Sequence, residues 1–454
     1  MPTVPATTSL SATAADILNA IRNNASVDYR NYVPAAANDI ESIRTIGNVI
    51  MDYPGIQNEF LNALVNRIAR VMITSKSYRN PWAIFKKGLL EFGETVEEIF
   101  VNIAKPFEFD PEVAETELYK REIPDVRAAF HTLNYQKFYK TTVTREQLRQ
   151  AFLSVNGLLD LVGKITESLY TGMEYDEFLV MKYLLARRIL NGHFYPETVP
   201  AVSAANMKEI TSGIKGISDA ITFLSPKYNL AGVYTHSDKE RQYLIVNTAF
   251  NSKMDVEVLA SAFNMDKAEF AGHRILVDGF GDLNSERLAI LFRDDANYTA
   301  ITSAEMQALN AIPAILVDQD FFMIFDNLLL MKSRENEQGL YQNYFLHTWK
   351  TFSVSPFANA IAFVPGTPSV TSVTVSPSTA TVAAGNTVSL GVTVVTQNFA
   401  PQSVTWSISP TTGASVSASG VVTIDEDTTE SGYTVTATST FDTTKTGTAT
   451  ITVS

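Results

Sequence analysis

Cysteine is absent from the 454 residues. That excludes disulfides, thiolate nucleophiles and cysteine-ligated metal, and it suits a reducing compartment. Histidine is scarce. The five are His131, His193, His236, His273 and His347, and none stands at HExxH or another metal-ligand spacing. No apolar run reaches the roughly 18–20 residues needed to span a bilayer. Met1–Leu10 carries no basic segment followed by an apolar one, so no signal peptide is read there. Basic residues are in deficit, 35 against 48 acidic for a net charge of −13, which removes the cationic footprint expected of a nucleic-acid binder.

Catalytic constellations are also missing. Gly-x-Ser-x-Gly does not occur. Gly157 and Gly163-Lys164 resemble a phosphate loop, but the gap is one residue too long and it lies in a helical pattern, not after a strand. Gly279-Phe280-Gly281 lacks the third glycine of a dinucleotide fingerprint, and Asp294-Asp295 and Asp425-Glu426-Asp427 read as solvated acidic turns. No catalytic, cofactor-binding or metal-binding residue is assigned, and the chain is read as not an enzyme.

What is present is ordinary globular material, 45% hydrophobic and 18% charged. The length exceeds what one core usually supports, so several domains are expected. The longest helical pattern runs over Thr144–Gly192. Thr144 and Gln147 fit a capping box. Leu148, Phe152, Leu159 and Val162 follow near helical spacing. A break is expected at Thr171-Gly172, with Glu174, Asp176 and Glu177 opening a second helix where its N-terminus favours negative charge. Phe178, Met181, Leu184, Leu185 and Ile189 form its apolar stripe, and Gly192 stops it.

Around this spine the pattern changes in order. Residues 1–75 hold a polar arm and helical stretches at Asp16–Arg22 and Asn58–Met72, the second with Phe60, Leu64, Ile68 and Val71 on one face. Residues 76–132 read as extended: Ile84–Gly88, a strand at Val96–Ile103, then Phe107–Phe109 and Val126–Phe130 flanking an acidic stretch, Glu112–Glu122. A strand pair is marginal alone in water, so this β-arm needs a surface, either its own domain or another chain. Residues 193–310 read as mixed α/β, with strands at Tyr243–Val246 and Arg274–Val277 and a helix at Val256–Phe263 capped by Asp255. Residues 311–364 are strand-like at Ala314–Val317, Phe321–Phe325, Tyr341–Trp349 and Ala358–Val364, with a turn at Gln338-Gly339.

Pro365–Pro368 is a linker signal. Beyond it Lys445 is the only basic residue. Val388 to Val394, Val404 to Ile408, Tyr433 to Ala437 and Ala449 to Val453 alternate apolar and polar residues between turns, the pattern of a small β-sandwich with Trp406 as core aromatic.

Several blocks together resemble one family. They are Phe85–Gly88 with Glu97-Glu98-Ile99, Lys120–Val126 with Phe130-His131, Met254–Ala260 with Ala262–Met265, Val317-Asp318 with Phe321–Met323, Phe325–Leu328, Gly339–Tyr341 and Phe357–Ala360. They look like the major capsid protein of small podoviruses of the phi-29 kind, over most of residues 15–364. The tail resembles a group 2 bacterial immunoglobulin-like (BIG2) domain.

The resemblance implies an α+β Hong Kong 97 (HK-97) fold with an all-β immunoglobulin-like sandwich at the C-terminus. The expected division is an N-terminal arm with short helices (1–75), an extended β-loop lying over the adjacent subunit (76–132), a peripheral domain with the spine helix (133–192) and an axial α/β domain (193–310). Returning strands (311–364), a linker (365–368) and the BIG2 domain (369–454) complete it. The implied function is a head protein that assembles as pentamers and hexamers into an icosahedral or prolate shell around double-stranded DNA. The implied partners are further copies of itself, a separate scaffolding protein and a portal. The sandwich adds head fibres or the host surface as partners, or it clamps capsomers. The site is the virion capsid, assembled in the host cytoplasm.

The inter-subunit residues singled out are Phe85, Lys86, Lys87, Glu97 and Glu98. Charge reversal at Lys86 and Lys87 is expected to weaken assembly more than monomer folding. The alternatives are a cell-surface adhesin with an immunoglobulin-like module, which would need a secretion signal, and an enzyme with a β-sandwich appendage, which lacks a catalytic constellation.

Overall fold

The structure, a computed structural model, describes residues 13–70, 78–91, 95–107, 121–153, 157–255 and 273–454. Helices Ala14–Asn24, Val27–Tyr32, Ile40–Asp52 and Pro54–Arg70 come first, and side chains set their starts. Thr13 and Asp16 form a capping box, Ser26 and Asp39 cap the next two, and Pro54 takes a first-turn position that needs no N–H donor. Ile40–Asp52 was not anticipated, although Ile43, Ile46 and Ile50 recur on one face behind the Asp39 cap. In the expected helix Asn58–Met72, the side chains of Leu64 and Ile68 and the whole of Val71 lie outside the described residues.

Before Gly366 the described residues hold strands β1 (Lys86–Leu89), β2 (Val96–Val101), β3 (Val126–His131), β4 (Tyr135–Thr144), β5 (Tyr195–Val199), β6 (Gln242–Asn247), β7 (His273–Val277), β8 (Ala314–Asp318), β9 (Phe322–Asn336), β10 (Tyr341–Val354) and β11 (Ala360–Pro365). Two compact units divide them. The first takes the described residues of Met1–Thr95, Thr132–Phe178 and Ile324–Phe352, and the second takes those of Val96–His131, Leu179–Met323 and Ser353–Ser454.

The first unit is a four-stranded sheet, β1-β9-β10-β4, with helices on one face. β10 and β4 pair antiparallel from Tyr341 against Thr144 to Lys350 against Tyr135. Val143, Tyr344 and Leu346 of the sheet join Ile17, Ile43, Ile50, Phe60 and Phe152 in one core. Packing there is close: a Cβ on Gly47 would stand 2.6 Å from the Phe152 ring, so the contact requires glycine.

The helix Gly157–Leu190 is continuous, which corrects the expected break at Thr171-Gly172. An interior glycine costs about 1 kcal/mol. Burial of Ile165, Leu169 and Met173 before or at that point, and of Leu179, Leu185 and Ile189 after it, outweighs this. Asp176 and Glu177 therefore do not open a helix. They are buried mid-helix, at 0% and 1% exposure, and serve side-chain pairs described below. The shorter helix Arg145–Ala151 precedes it and begins with the expected Thr144–Gln147 capping box.

The second unit contains a mixed five-stranded sheet, β5-β11-β8-β6-β7. β6 is buried at every position, as its unbroken apolar run predicts. Helices Met207–Ala220 and Thr248–Met254 cover it through Met207, Ile210, Ile214, Phe250 and Met254. Asp255 stands at the C-cap position of Thr248–Met254. The helix expected at Val256–Phe263 lies outside the described residues, as do Phe109 and most of the acidic stretch Glu112–Glu122.

The tail adds strands β12 (Ser369–Ser376), β13 (Thr379–Val382), β14 (Thr387–Ser389), β15 (Gly391–Gln397), β16 (Val404–Ser409), β17 (Ala414–Val416), β18 (Val421–Ile424), β19 (Gly432–Ser439) and β20 (Thr446–Val453). They form small sheets, the largest β13-β20-β19-β16, around a separate apolar core. Its fully buried aromatic is Tyr433, at 2% exposure. Trp406 is only half-buried beside Gly420, which corrects the expected core role. Trp406 packs against that core from a partly buried position, and the buried Tyr433 hydroxyl donates to the Thr412 carbonyl at 3.0 Å.

Candidate assembly surface

Of the five residues singled out as inter-subunit contacts, Phe85, Lys86 and Glu98 make contacts within the chain. Phe85 is 2% exposed and meets Trp82 edge to face, with ring centres 6.2 Å apart. Lys86 belongs to an interior ion cluster. Its Nζ lies 3.2 Å from Glu177 Oε2 and 2.6 Å from Asp326 Oδ2. Lys350 Nζ reaches the same two carboxylates, at 2.6 Å from Asp326 Oδ1 and in direct contact with Glu177. Asn80 donates its side-chain N–H to Glu177 Oε1 at 2.6 Å. Each buried charge thus has an opposite partner and hydrogen bonds, the condition under which such charges are tolerated.

Burial works against the Lys86 ammonium, but Glu177 and Asp326 more than offset it, and its pKa rises. Burial likewise opposes the Asp326 carboxylate, yet Lys350 and Lys86 hold its pKa below the ordinary range. Beside this cluster the Tyr139 hydroxyl donates to buried Asp176 at 2.8 Å. Lys87 is half-buried on β1, next to Lys86. Lys86 is thus paired with Glu177 and Asp326 within its own chain, so charge reversal there is expected to lower the stability of the unassembled protein as well as assembly.

The hairpin of β2 and β3 is different. Its register sets Glu97 against Phe130, Ile99 against Ala128 and Val101 against Val126. Alternate residues face opposite ways. The inner row is anchored to its own unit. Phe100 stacks on Phe357 at 5.5 Å, and Glu98 accepts from the Ser355 hydroxyl at 2.7 Å and meets His131 Nε2 at 3.3 Å. Near the hairpin end, Asn102 Oδ1 accepts from the Tyr234 N–H at 3.2 Å. Glu98 is thereby a structural anchor of the hairpin.

The outer row is open. Ile99 is 59% exposed, Val101 60%, Val126 53% and Phe130 65%, with Glu97 also exposed among them. Beyond the strands, Ile103, Phe107 and Ile123 continue the apolar exposure. A strip of large apolar side chains on a two-stranded ribbon marks an interaction surface. Of the residues singled out, only Glu97 lies on it. Its apolar members were within the strand pattern, but their outward direction depends on which row the chain anchors.

A second contact joins the sandwich to the end of the spine helix. Gln402 donates to the Leu190 carbonyl at 3.2 Å, satisfying a carbonyl of the last helical turn. Gly192 has φ +67, and a Cβ there would stand 2.6 Å from the Ala400 carbonyl oxygen. Both conformation and space exclude a side chain. Close by, Arg188 donates to His193 Nδ1 at 2.9 Å. Burial, reinforced by the Arg188 charge, lowers the His193 pKa to about 4. Among the described residues no group of carboxylate and histidine side chains is arranged to hold a metal ion, and no helix is long and apolar enough to cross a membrane.

Residues 18–364 match the family model of the Phi29-like phage major capsid protein, and residues 369–439 match that of the group 2 bacterial Ig-like domain. The chain is 36% identical over 427 residues to the major capsid protein of Bacillus phage B103, covering 92% of this chain and 88% of that one. It is 34% identical over 415 residues to the major capsid protein of Bacillus phage PZA, covering 90% and 86%. With the major capsid protein of Streptococcus phage Cp-1 the identity is 30% over 366 residues, covering 76% and 92%. Among solved structures, the capsid of Staphylococcus phage Andhra superposes with a TM-score of 0.50 at 14% identity, over 65% of this chain and 87% of that one. That likeness concerns the fold, which is HK-97-like with an added immunoglobulin-like module.

Proposed function

Because this chain belongs to the Phi29-like phage major capsid protein family, we propose that its copies close into pentamers and hexamers of a shell around double-stranded DNA, held together by the hairpin surface. The open apolar row Ile99, Val101, Val126 and Phe130 supports the reading. Each such side chain is worth about 1.5–3 kcal/mol on full burial. Many linked copies turn modest contacts into a stable container. The division into arm (1–75), extended loop (76–132), peripheral domain (133–192), axial domain (193–310) and returning strands (311–364) is part of the proposal. The arm and loop adapt to non-equivalent positions while the rigid domains do not.

A net charge of −13 suits the role. A lining rich in lysine would bind phosphates strongly and would hinder DNA movement. A separate scaffolding protein and a portal complete the proposed partners, with assembly in the host cytoplasm. The sandwich faces outward, toward neighbouring capsomers, head fibres or host. The adhesin alternative rested on the sandwich alone, whereas the family match over residues 18–364 concerns the rest of the chain.

Co-expression with a scaffolding protein, followed by negative-stain microscopy, tests the proposal. Closed shells are expected. Soluble monomers or open aggregates alone, under conditions where a relative assembles, would overturn it.

A further inference from the structure

We propose that the outer face of the β13-β20-β19-β16 sheet of the sandwich binds a neutral, hydroxyl-rich polysaccharide. The inference rests on the outward placement of the sandwich read above, and it names the chemistry that this surface takes.

Strand alternation divides the residues of this sheet. Tyr433, Val435, Ala437, Ala449 and Ile451 turn into the core. Apart from Gly432 at one end, what stands outside is threonine and serine. β20 shows it most plainly, with a threonine at every second position from Thr446 to Thr452. Register carries the pattern across the strands. One row runs Ser409, Thr434, Thr450, Thr379, and the next runs Ser407, Thr436, Thr448. Strands lie about 4.8 Å apart, and alternate residues recur about every 6.7 Å along each, so the hydroxyls form a two-dimensional lattice. No charged side chain stands on it. Thr405 donates its hydroxyl to the Thr438 carbonyl at 3.4 Å. Among the described residues no other hydroxyl of this face is spent inside the chain.

The make-up of the face selects the partner. With no ionisable group it offers nothing to a charged chain. The acidic residues elsewhere in the sandwich, against Lys445 as its one base, repel a polyanion. With hydroxyls at nearly every outward position it offers little to an apolar partner. A neutral polymer of regularly spaced hydroxyl and C–H groups meets both the hydroxyl and the methyl of each threonine. Threonine is β-branched and stiff at χ1, so little rotamer freedom is lost on binding. The β12-β15 sheet lacks these properties. β12 is bulged between Val370 and Ser372, and exposed Val395 and Gln397 interrupt the hydroxyls of β15. One sandwich holds such a polymer weakly, whereas a shell displays many linked copies.

The test uses the full chain, both unassembled and as shells, with cellulose and chitin as neutral probes and alginate as an anionic one. Retention on cellulose or chitin, and not on alginate, is expected in both forms and is stronger for shells. Thr436→Val and Thr448→Val together remove two neighbouring hydroxyls while keeping side-chain shape and strand preference. The pair should lower retention of the unassembled chain at least fivefold, the effect of about 1 kcal/mol, with its melting temperature unchanged. Thr393→Val, on β15, should leave retention intact. Absence of retention on both neutral polymers would overturn the inference. So would equal retention on alginate, indifference to the paired substitution, or an equal loss with Thr393→Val. Binding by the unassembled chain is scored by itself, so the two readings fail separately: a chain that is retained but forms no shells supports this inference and overturns the shell.

Discussion

Glu177 and Lys350 keep only 1% and 4% of their side-chain surface exposed, so removing one strands the other as an interior charge. Lys350→Met should therefore destabilise the unassembled protein by about 3–5 kcal/mol, read from its denaturant midpoint. A change below about 1 kcal/mol, within the range of surface pairs, would show that the cluster is solvated. The pH dependence follows from the shifts. Asp326, held below its ordinary 3.8, contributes stability above that value and loses it as pH falls through its lower folded value. Lys86, held above 10.5, contributes below that value and loses it as pH rises through its higher folded one. The cluster is thus at full strength across neutral pH. His193 is the residue that responds nearer neutrality. It stays neutral in the fold down to about 4, against an ordinary 6.5, so stability falls as pH drops from about 6.5 toward 4. His193→Asn should flatten that decline in melting temperature, and an unchanged slope would refute the assignment. None of this was legible in order along the chain. Lys86 stands 91 positions from Glu177, and in sequence it reads as an inter-subunit residue until the fold supplies Glu177 and Asp326 as its partners.

At the scale of elements, strong periodicity survived and local breakers misled. The alternating tail strands, the buried β6 and the Thr144–Gln147 cap are all where the pattern placed them. Gly172 read as a stop because propensity is local, whereas the buried stripe on both sides of it is a property of the packed helix. β4 escaped because its inward residues Tyr135, Lys137, Tyr139 and Thr141 carry polar ends, which blur the alternation. The junction of spine helix and sandwich allows a direct test. Gly192→Val adds atoms against the Ala400 carbonyl and forces φ +67 on a β-branched residue. Hydrogen exchange should rise at residues 190–193 and 398–402 while the sandwich core around Tyr433 stays protected. Loss of protection in that core as well would mean that the sandwich depends on the helix for its fold.

For the whole molecule, the sandwich core is closed on itself, so deleting 367–454 should leave assembly of the remaining chain at least partly competent. Particle counts by microscopy check this, and complete loss of particles would make the sandwich integral to the shell. Composition, charge, strand alternation and family-specific blocks determined, without any coordinates, that this is an α+β capsid chain with a separate β-sandwich. Those signals are carried by neighbours in sequence. Which side of the hairpin is left bare, which lysines are interior and where the sandwich meets the helix were decided only by tertiary structure. Exposure and charge pairing depend on residues far apart in the chain, and only folding brings them together.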